Sequence, residues 1–242
     1  SLGVAVLIIV MSVMNGFRAE LIDKIIGFNS HLTIESNNQP IDMSKFNDVK
    51  LKNLSKGFFL TNSGEAIIVS KDYTKGLYLR GYNNNDFQKI DIVNQNNFTG
   101  KPDDLIENYI SIGLQLSNEL NLKIGDKIMI MSPSGVETII GSLPKQQAFI
   151  VKSIFDSGLG EFDKNIAFIN LNSLENFFNL DSKDRKLEIY LQNPTDIEEA
   201  KKYVQSIFKD QYVYSWSDLN NSLFSALKVE RNVMFIILSL II

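Results

Sequence analysis

The two ends of the chain constrain it most. Residues 1–14 (SLGVAVLIIVMSVM) and 232–242 (NVMFIILSLII) carry no charge at all. A full membrane span needs ~20 apolar residues to cross ~30 Å of hydrocarbon, at a rise of ~1.5 Å per residue. Neither run is long enough alone, but each stops at a chain end, and the first residue is Ser1 rather than Met. The expectation is a fragment cut inside one span at each end, with a loop domain between them. Taken singly, the first run also reads as a signal-peptide core and the second as a buried core helix. Neighbouring charges give no orientation, since Arg18 and Lys24 sit among Glu20 and Asp23, and Lys228 and Arg231 flank Glu230.

The chain between these runs has the composition of a folded protein. Its 242 residues are 44% apolar and 21% charged, enough for one or two domains with a real core. A net charge of −4 offers nucleic acid no basic field. Without cysteine there is no disulfide framework, thiolate nucleophile or cysteine-ligated zinc. One histidine, His31, excludes a multi-histidine metal site; at a strand start it reads as a surface or packing residue. No phosphate-binding P-loop, H-E-x-x-H or G-x-S-x-G is present. Gly158-Leu159-Gly160 reads as a turn. Asp103-Asp104 and Glu198-Glu199 are adjacent carboxylates, which do not face each other and read as solvated. Nothing in these residues points to an enzyme active site, and no cofactor or metal is expected.

Periodicity outlines an α+β fold. The first helix continues past the apolar run, with Phe17, Leu21, Ile25 and Phe28 on one face and Gly27 as its stop. Strands are expected at 31–35, 57–61, 66–70, 76–81, 127–131, 149–155, 166–170, 187–191 and 213–216. Helices are expected at 42–54, 110–122, 171–180, from Pro194 with Thr195 as cap, and from Asp218 unbroken to the end. Residues 29–82 and 186–217 read as a mixed α/β membrane-proximal domain, and 83–185 as an inserted β-rich subdomain. Residues 1–28 and 218–242 flank them as two partial transmembrane helices.

One segment is unusual. Between strands 127–131 and 149–155, Pro133 and Pro144 bracket an apolar stretch containing Val136, Ile139, Ile140 and Leu143, broken by Gly135 and Gly141. Proline lacks a ladder donor, so these are not central-strand positions. From the pattern alone the segment reads as a long hairpin folded back onto the core. The competing reading is an exposed apolar tip made for a partner's groove.

Several stretches together resemble the LolC and LolE permease subunits of the lipoprotein-releasing ABC transporter. They are the SVMNGF of residues 12–17 with Glu20-Leu21, the Ile124-Gly125-Asp126 turn, Ser132-Pro133-Ser134 with Pro144, the SGLGEFD of 157–163, and the block LFSALKVERNVMF at 223–235. The resemblance covers nearly the whole chain. It implies an inner-membrane permease whose large domain is periplasmic and similar to that of MacB-type transporters, with porter-like and sabre-like parts. The implied partners are a cytoplasmic LolD-like ATPase, a second permease (identical or paralogous), a LolA-like periplasmic carrier, lipoprotein substrates and the membrane.

The resemblance also turns 133–144 into a hook that enters the carrier's cavity, comprising Pro133, Ser134, Gly135, Val136, Ile139, Ile140, Gly141, Leu143 and Pro144. Gln146 and Gln147 lie in an adjoining pad. Gln147 and Met129 stand where the LolC version has arginines, so either docking is less electrostatic here or it belongs to a different subunit type. Val10, Met14, Val233, Met234 and Ile237 are the implied acyl-chain contacts, and unbranched methionine suits a cavity for varied lipids. Alternatives are a MacB-like efflux or mechanotransmission permease and an FtsX-like regulatory membrane protein.

Overall fold

The computed structural model of the chain describes residues 2–69, 73–90, 93, 97–102, 105–133, 136–138, 141–194 and 197–241. In chain order the strands are β1 Leu32–Glu35, β2 Ser55–Val69, β3 Thr74–Tyr82, β4 Phe98–Gly100, β5 Tyr109–Gly113, β6 Lys127–Met131, β7 Val136–Thr138, β8 Gly141–Leu143, β9 Gln146–Phe155, β10 Ile166–Asn170, β11 Lys186–Leu191 and β12 Tyr212–Ser215. The helices are α1 Leu2–Phe28, α2 Val49–Leu54, α3 Asn84–Phe87, α4 Leu114–Leu120, α5 Gly160–Asn165, α6 Leu171–Phe178, α7 Ile197–Ile207, α8 Trp216–Leu219 and α9 Asn221–Ile241. The fold is mixed α/β. Among the described residues no helix is long and apolar enough to cross a membrane.

Strand pairing closes part of the sheet on itself. β2 pairs with β3, β3 with β10, β10 with β5, β5 with β9, β9 with β6, and β6 returns to β2 through Ile67↔Met131 and Val69↔Met129. The result is a six-strand barrel, a closure that removes exposed edges. Alternation along each stave sends two apolar side chains inward: Ala66 and Ile68, Leu77 and Leu79, Ala167 and Ile169, Ile110 and Ile112, Phe149 and Val151, Ile128 and Ile130. Leu116 of α4 and Leu174 and Phe177 of α6 join the same core.

The early half of β2 continues beyond the barrel. There Thr61–Ser55 pairs with β11, and the sheet runs on through β1 to β12. Leu32, Ile34, Leu187, Ile189 and Leu191 cover one face of this wing. Ile25 of α1, Phe46, Leu51 of α2 and Val204 of α7 pack on it. His31 is buried here. Its Nδ1 accepts the Leu191 N–H at 2.7 Å, and its ring lies against Tyr190. It is a packing residue.

The opposite face, where wing and barrel meet, holds a buried charge. Arg80 of β3 donates from Nη2 to Glu188 Oε1 of β11 at 2.8 Å, across the intervening β2. Tyr82 accepts from Arg80 at 2.5 Å and donates to Glu188 Oε2 at 2.6 Å. Burial opposes the Arg80 charge, yet Glu188 outweighs it and holds the guanidinium protonated. Burial likewise holds the Tyr82 and Tyr190 phenols far above their ordinary range, so both remain hydrogen-bonding neutral groups.

Several elements differ from the periodicity reading. Residues 57–61 and 66–70 were expected as separate strands, but Ser55–Val69 is one strand. Asn62-Ser63-Gly64 is not a turn: a Cβ on Gly64 would lie 2.8 Å from the Phe178 ring, so glycine is there to let the ring lie on the strand. The expected helix 110–122 is strand β5 followed by α4. Ile110 and Ile112 obey the strand period, and Gly113 marks the junction because a Cβ there would meet Asp163 O at 2.1 Å. The final helix is interrupted at Asn220, after a capping box in which Ser215 and Asp218 hold α8. Strand β9 begins at Gln146 rather than 149, since β6 supplies partners as far as Met131. Thr195 and Asp103-Asp104 lie outside the described residues.

Replacing Arg80 with Met is expected to destabilise the fold by about 3–5 kcal/mol, because Glu188 is then left buried and unpaired. Denaturant midpoints would show this, and the Arg80→Met/Glu188→Leu pair should recover much of the loss.

Candidate functional site

The proline-bracketed segment leaves the barrel as a hairpin of its own. The last rung of the main ribbon is Met131↔Gln146, and beyond it the Ser132 N–H donates to Lys145 O at 2.9 Å. Pro133 and Pro144, both exposed, then interrupt the ladder from opposite sides, because neither can donate. Pairing resumes in a separate two-stranded sheet, β7–β8, through Val136↔Leu143, Glu137↔Ser142 and Thr138↔Gly141. Leu143 is 53% exposed. Ser134, Gly135, Ile139 and Ile140 lie outside the described residues. The hairpin expected from the pattern is present, and its Leu143 is not folded onto the core.

The root of the hairpin is anchored by a residue the periodicity did not single out. Lys145 Nζ donates to Asn176 O and, at 3.4 Å, to Asn179 Oδ1, at the C-terminal end of α6. A cation suits that end of a helix, where carbonyls lack partners. Nothing local in the sequence marks this contact, which joins residues far apart in the chain.

The two glutamines of the expected pad separate. Neighbours on a strand point to opposite faces. Gln146 is exposed beside Met131, whereas Gln147 shares the face of buried Ile130 and Phe149 and donates from Nε2 to Asn108 Oδ1 at 3.1 Å. On the outward face with Gln146 lie Met129, 37% exposed, and Ile150, 38% exposed. The surface below the hairpin is therefore mainly apolar. Beside it a groove of about 400 Å³ runs over β2 and β3, lined by Ala66, Ile67, Leu77, Tyr78 and Pro133.

The helices α1 and α9 touch each other. Val10, Val233 and Ile237 are exposed on them, and Met14 and Met234 are half-buried. Ile9, Val13, Phe17, Phe235 and Ile236 are also largely exposed, so both helices present extensive apolar surface. Where the two helices join the domain, a cavity of about 300 Å³ is lined by Ser30, Thr33, Ser63, Arg80, Lys186 and Glu188, among others. Its charges are paired, Arg80 with Glu188 and Lys186 with Glu35. Among the described residues no group of acidic or histidine side chains is arranged to hold a metal.

The turn at 156–160 contacts α1. Leu159 packs into the wing core with Leu21, Ile22 and Ile25 of α1, and Lys24 Nζ reaches Gly158 O at 3.5 Å. Gly158 adopts a left-handed φ of +70°, which favours glycine. The turn is tied internally by Gly158 N–H to Asp156 Oδ1 and by Ser157 N–H to Asp163 Oδ1, both at 2.9 Å. Burial raises the Asp163 carboxyl above its ordinary value, and contact with Asp156 adds to this.

The chain thus combines a barrel continued by a sheet wing, a detached hairpin and two apolar helices. The model of the MacB-like periplasmic core domain matches residues 1–207, and the chain belongs to that family. Along its whole length it is similar to lipoprotein-releasing system transmembrane proteins LolC. It is 27% identical over 256 residues to that of Neisseria meningitidis, covering 100% of this chain and 60% of the relative. It is 31% identical over 251 residues to that of Buchnera aphidicola subsp. Acyrthosiphon pisum, covering 99% and 60%. The chain thus spans about 60% of the length of these curated relatives. They bear out the resemblance to the LolC and LolE permeases. The periplasmic region of MacB from Actinobacillus actinomycetemcomitans aligns with a TM-score of 0.48 and 12% identity, covering 81% of this chain and 94% of that one.

Ionised Asp163 opposes folding, because its folded pKa lies above its ordinary 3.8. Stability should therefore fall as pH rises from that ordinary value through the folded one. The Asp163→Asn variant, which keeps an acceptor for the Ser157 N–H, is expected to lack this fall. Thermal midpoints of both proteins across acid to neutral pH should diverge as pH rises, with the variant the more stable.

Proposed function

We propose that this chain is the periplasmic part of a permease subunit of an ABC transporter that releases outer-membrane lipoproteins from the inner membrane and passes them to a periplasmic carrier. The observation that carries this reading is the detached hairpin β7–β8, set off by Pro133 and Pro144 at the end of a rigid barrel with Leu143 exposed. An apolar projection of this kind suits insertion into a hydrophobic cavity, such as that of a lipid carrier. The similarity to LolC over the whole chain supports it.

In this reading, Pro133, Ser134, Gly135, Val136, Ile139, Ile140, Gly141, Leu143 and Pro144 form the hook, and Gln146 and Gln147 belong to its base. α1 is the end of the first membrane span with its periplasmic extension, and α9 leads into the second span. Val10, Met14, Val233, Met234 and Ile237 touch the acyl chains. Residues 29–82 and 186–217 form the membrane-proximal domain and 83–185 the inserted one, with β3 and the later half of β2 shared with the barrel of the latter. The subunit does no chemistry. A LolD-like ATPase on the cytoplasmic side, a second permease and a LolA-like carrier complete the machine, and ATP-driven closure of the spans expels the lipid. A MacB-like mechanotransmission permease is the second reading, favoured by the family match itself.

Carrier binding separates the two. The full-length protein in nanodiscs should bind its cognate carrier, and Leu143→Asp should weaken binding about tenfold or more, equivalent to about 1.4 kcal/mol. With Met129 and Gln147 uncharged, affinity should change little as salt screens exposed charges. A folded wild-type protein that binds no carrier would leave the MacB-like reading.

A further inference from the structure

We infer that the far end of the wing binds a neutral sugar chain, through the Tyr212 and Tyr214 rings of β12 and the side-chain amides beside them. The site is separate from the hairpin and from the two apolar helices. β1 follows α1 at its Leu32 end, and β12 runs into α8 at its Ser215 end. Glu35 and Tyr212, paired across the two strands, therefore mark the opposite end of the wing. Two cavities of about 440 and 470 Å³ adjoin there and share Asn37, Asp210 and Gln211. Each has the size of a small-molecule site.

Alternation puts Tyr212 and Tyr214 on one face of β12, while Val213 turns into the wing core. The two rings stack, with centroids 6.4 Å and planes 26° apart, and Tyr212 is 54% exposed. A flat aromatic face of this kind packs against the C–H face of a pyranose ring. Beside it, the side chains of Asn37, Gln39 and Asp210 make no hydrogen bond within the described residues. Gln211 Oε1 is buried without a partner, which folded proteins seldom leave so. The backbone that presents it is fixed: Gln211 O accepts from Gln205 Nε2 of α7 at 3.0 Å, and Gln211 N–H donates to Phe208 O at 3.3 Å. Asp42 is held likewise, by the N–H and hydroxyl of Ser44. Sugar hydroxyls both donate and accept, and amides and carboxylates match them.

Other ligand classes fit less well. The lining carboxylates, Asp42 and Asp210, are balanced by Lys45 and Lys209, so the surface selects neither an anion nor a cation. An added peptide strand finds no ladder. The Trp216 N–H donates to His31 O, so the alternate pairs Tyr214↔Thr33 and Tyr212↔Glu35 direct their backbone groups to β1. The Ser215 N–H donates to Asp218 Oδ2, which leaves only Val213 with both backbone groups turned to the outer edge.

The test uses the full-length protein in nanodiscs, titrated with chitotriose and with maltotriose and read by saturation-transfer NMR. Binding of at least one of them with a Kd of about 1 mM or tighter is expected. Tyr212→Ala should weaken it about fivefold or more, the size of an aromatic packing contact, and Gln211→Ala comparably. Tyr212→Phe, which keeps the ring, should retain it. Circular dichroism of each variant confirms the fold, and Gln211→Ala carries the test if Tyr212→Ala unfolds. The two sugars also separate the sources of the chain. Preference for chitotriose, together with cosedimentation of the protein on purified cell-wall sacculi, supports the site and assigns it to the amino-sugar glycan of the wall. Preference for maltotriose without cosedimentation supports the site and assigns it to a free glucan. Absence of binding of both sugars at about 10 mM by the folded protein would overturn the site, as would binding undiminished in both alanine variants.

Discussion

The pairing of β6 with both β2 and β9 is the constraint on which the rest depends. It closes six strands into a ring and gives twelve inward side chains a shared interior, two from each stave. Without that closure β6 and β2 would each present an open edge, and Ile128, Ile130 and Ile68 would lose their cover. The ring also fixes the direction in which the β6–β9 ribbon leaves the barrel, and hence where the hairpin stands.

β2 is the element that serves both parts of the molecule. Its later half is a barrel stave and its earlier half begins the wing, where β11 takes over the edge that β6 occupies further along. The seam between the two is held from the other face by Arg80 and Glu188, with Tyr82 completing the hydrogen bonds. A buried ion pair of this type adds little net stability over an apolar replacement, but it is costly to break and fixes one arrangement of the strands it joins.

Much of the fold was legible along the chain. Alternation identified β6, β10 and β11, and the proline pair marked the segment that leaves the ladder. Misreadings came where a long-range contact explains a residue that looks like punctuation. Gly64 accommodates Phe178 and so ends no element as a turn glycine would, whereas Gly113, inside what reads as one helix 110–122, ends β5 where Asp163 lies against it. The candidate site follows the same division. Pro133, Pro144 and Leu143 could be picked out from their own segment. Lys145 could not, because its partners on α6 come from elsewhere in the chain, nor could the opposite facing of Gln146 and Gln147 before the strand was known to start at Gln146.

The sequence by itself determined the local character of the pieces. The uncharged runs, the alternating strands and the two prolines are properties of adjacent residues, and backbone sterics and hydrogen-bonding capacity act on them directly. Only the tertiary structure decided that six strands close into a barrel, that Arg80 meets Glu188, and that the 156–160 turn rests on α1. These depend on which apolar faces cover one another and which buried charges find partners. Both are settled by contacts between residues distant in the chain, which no local pattern encodes.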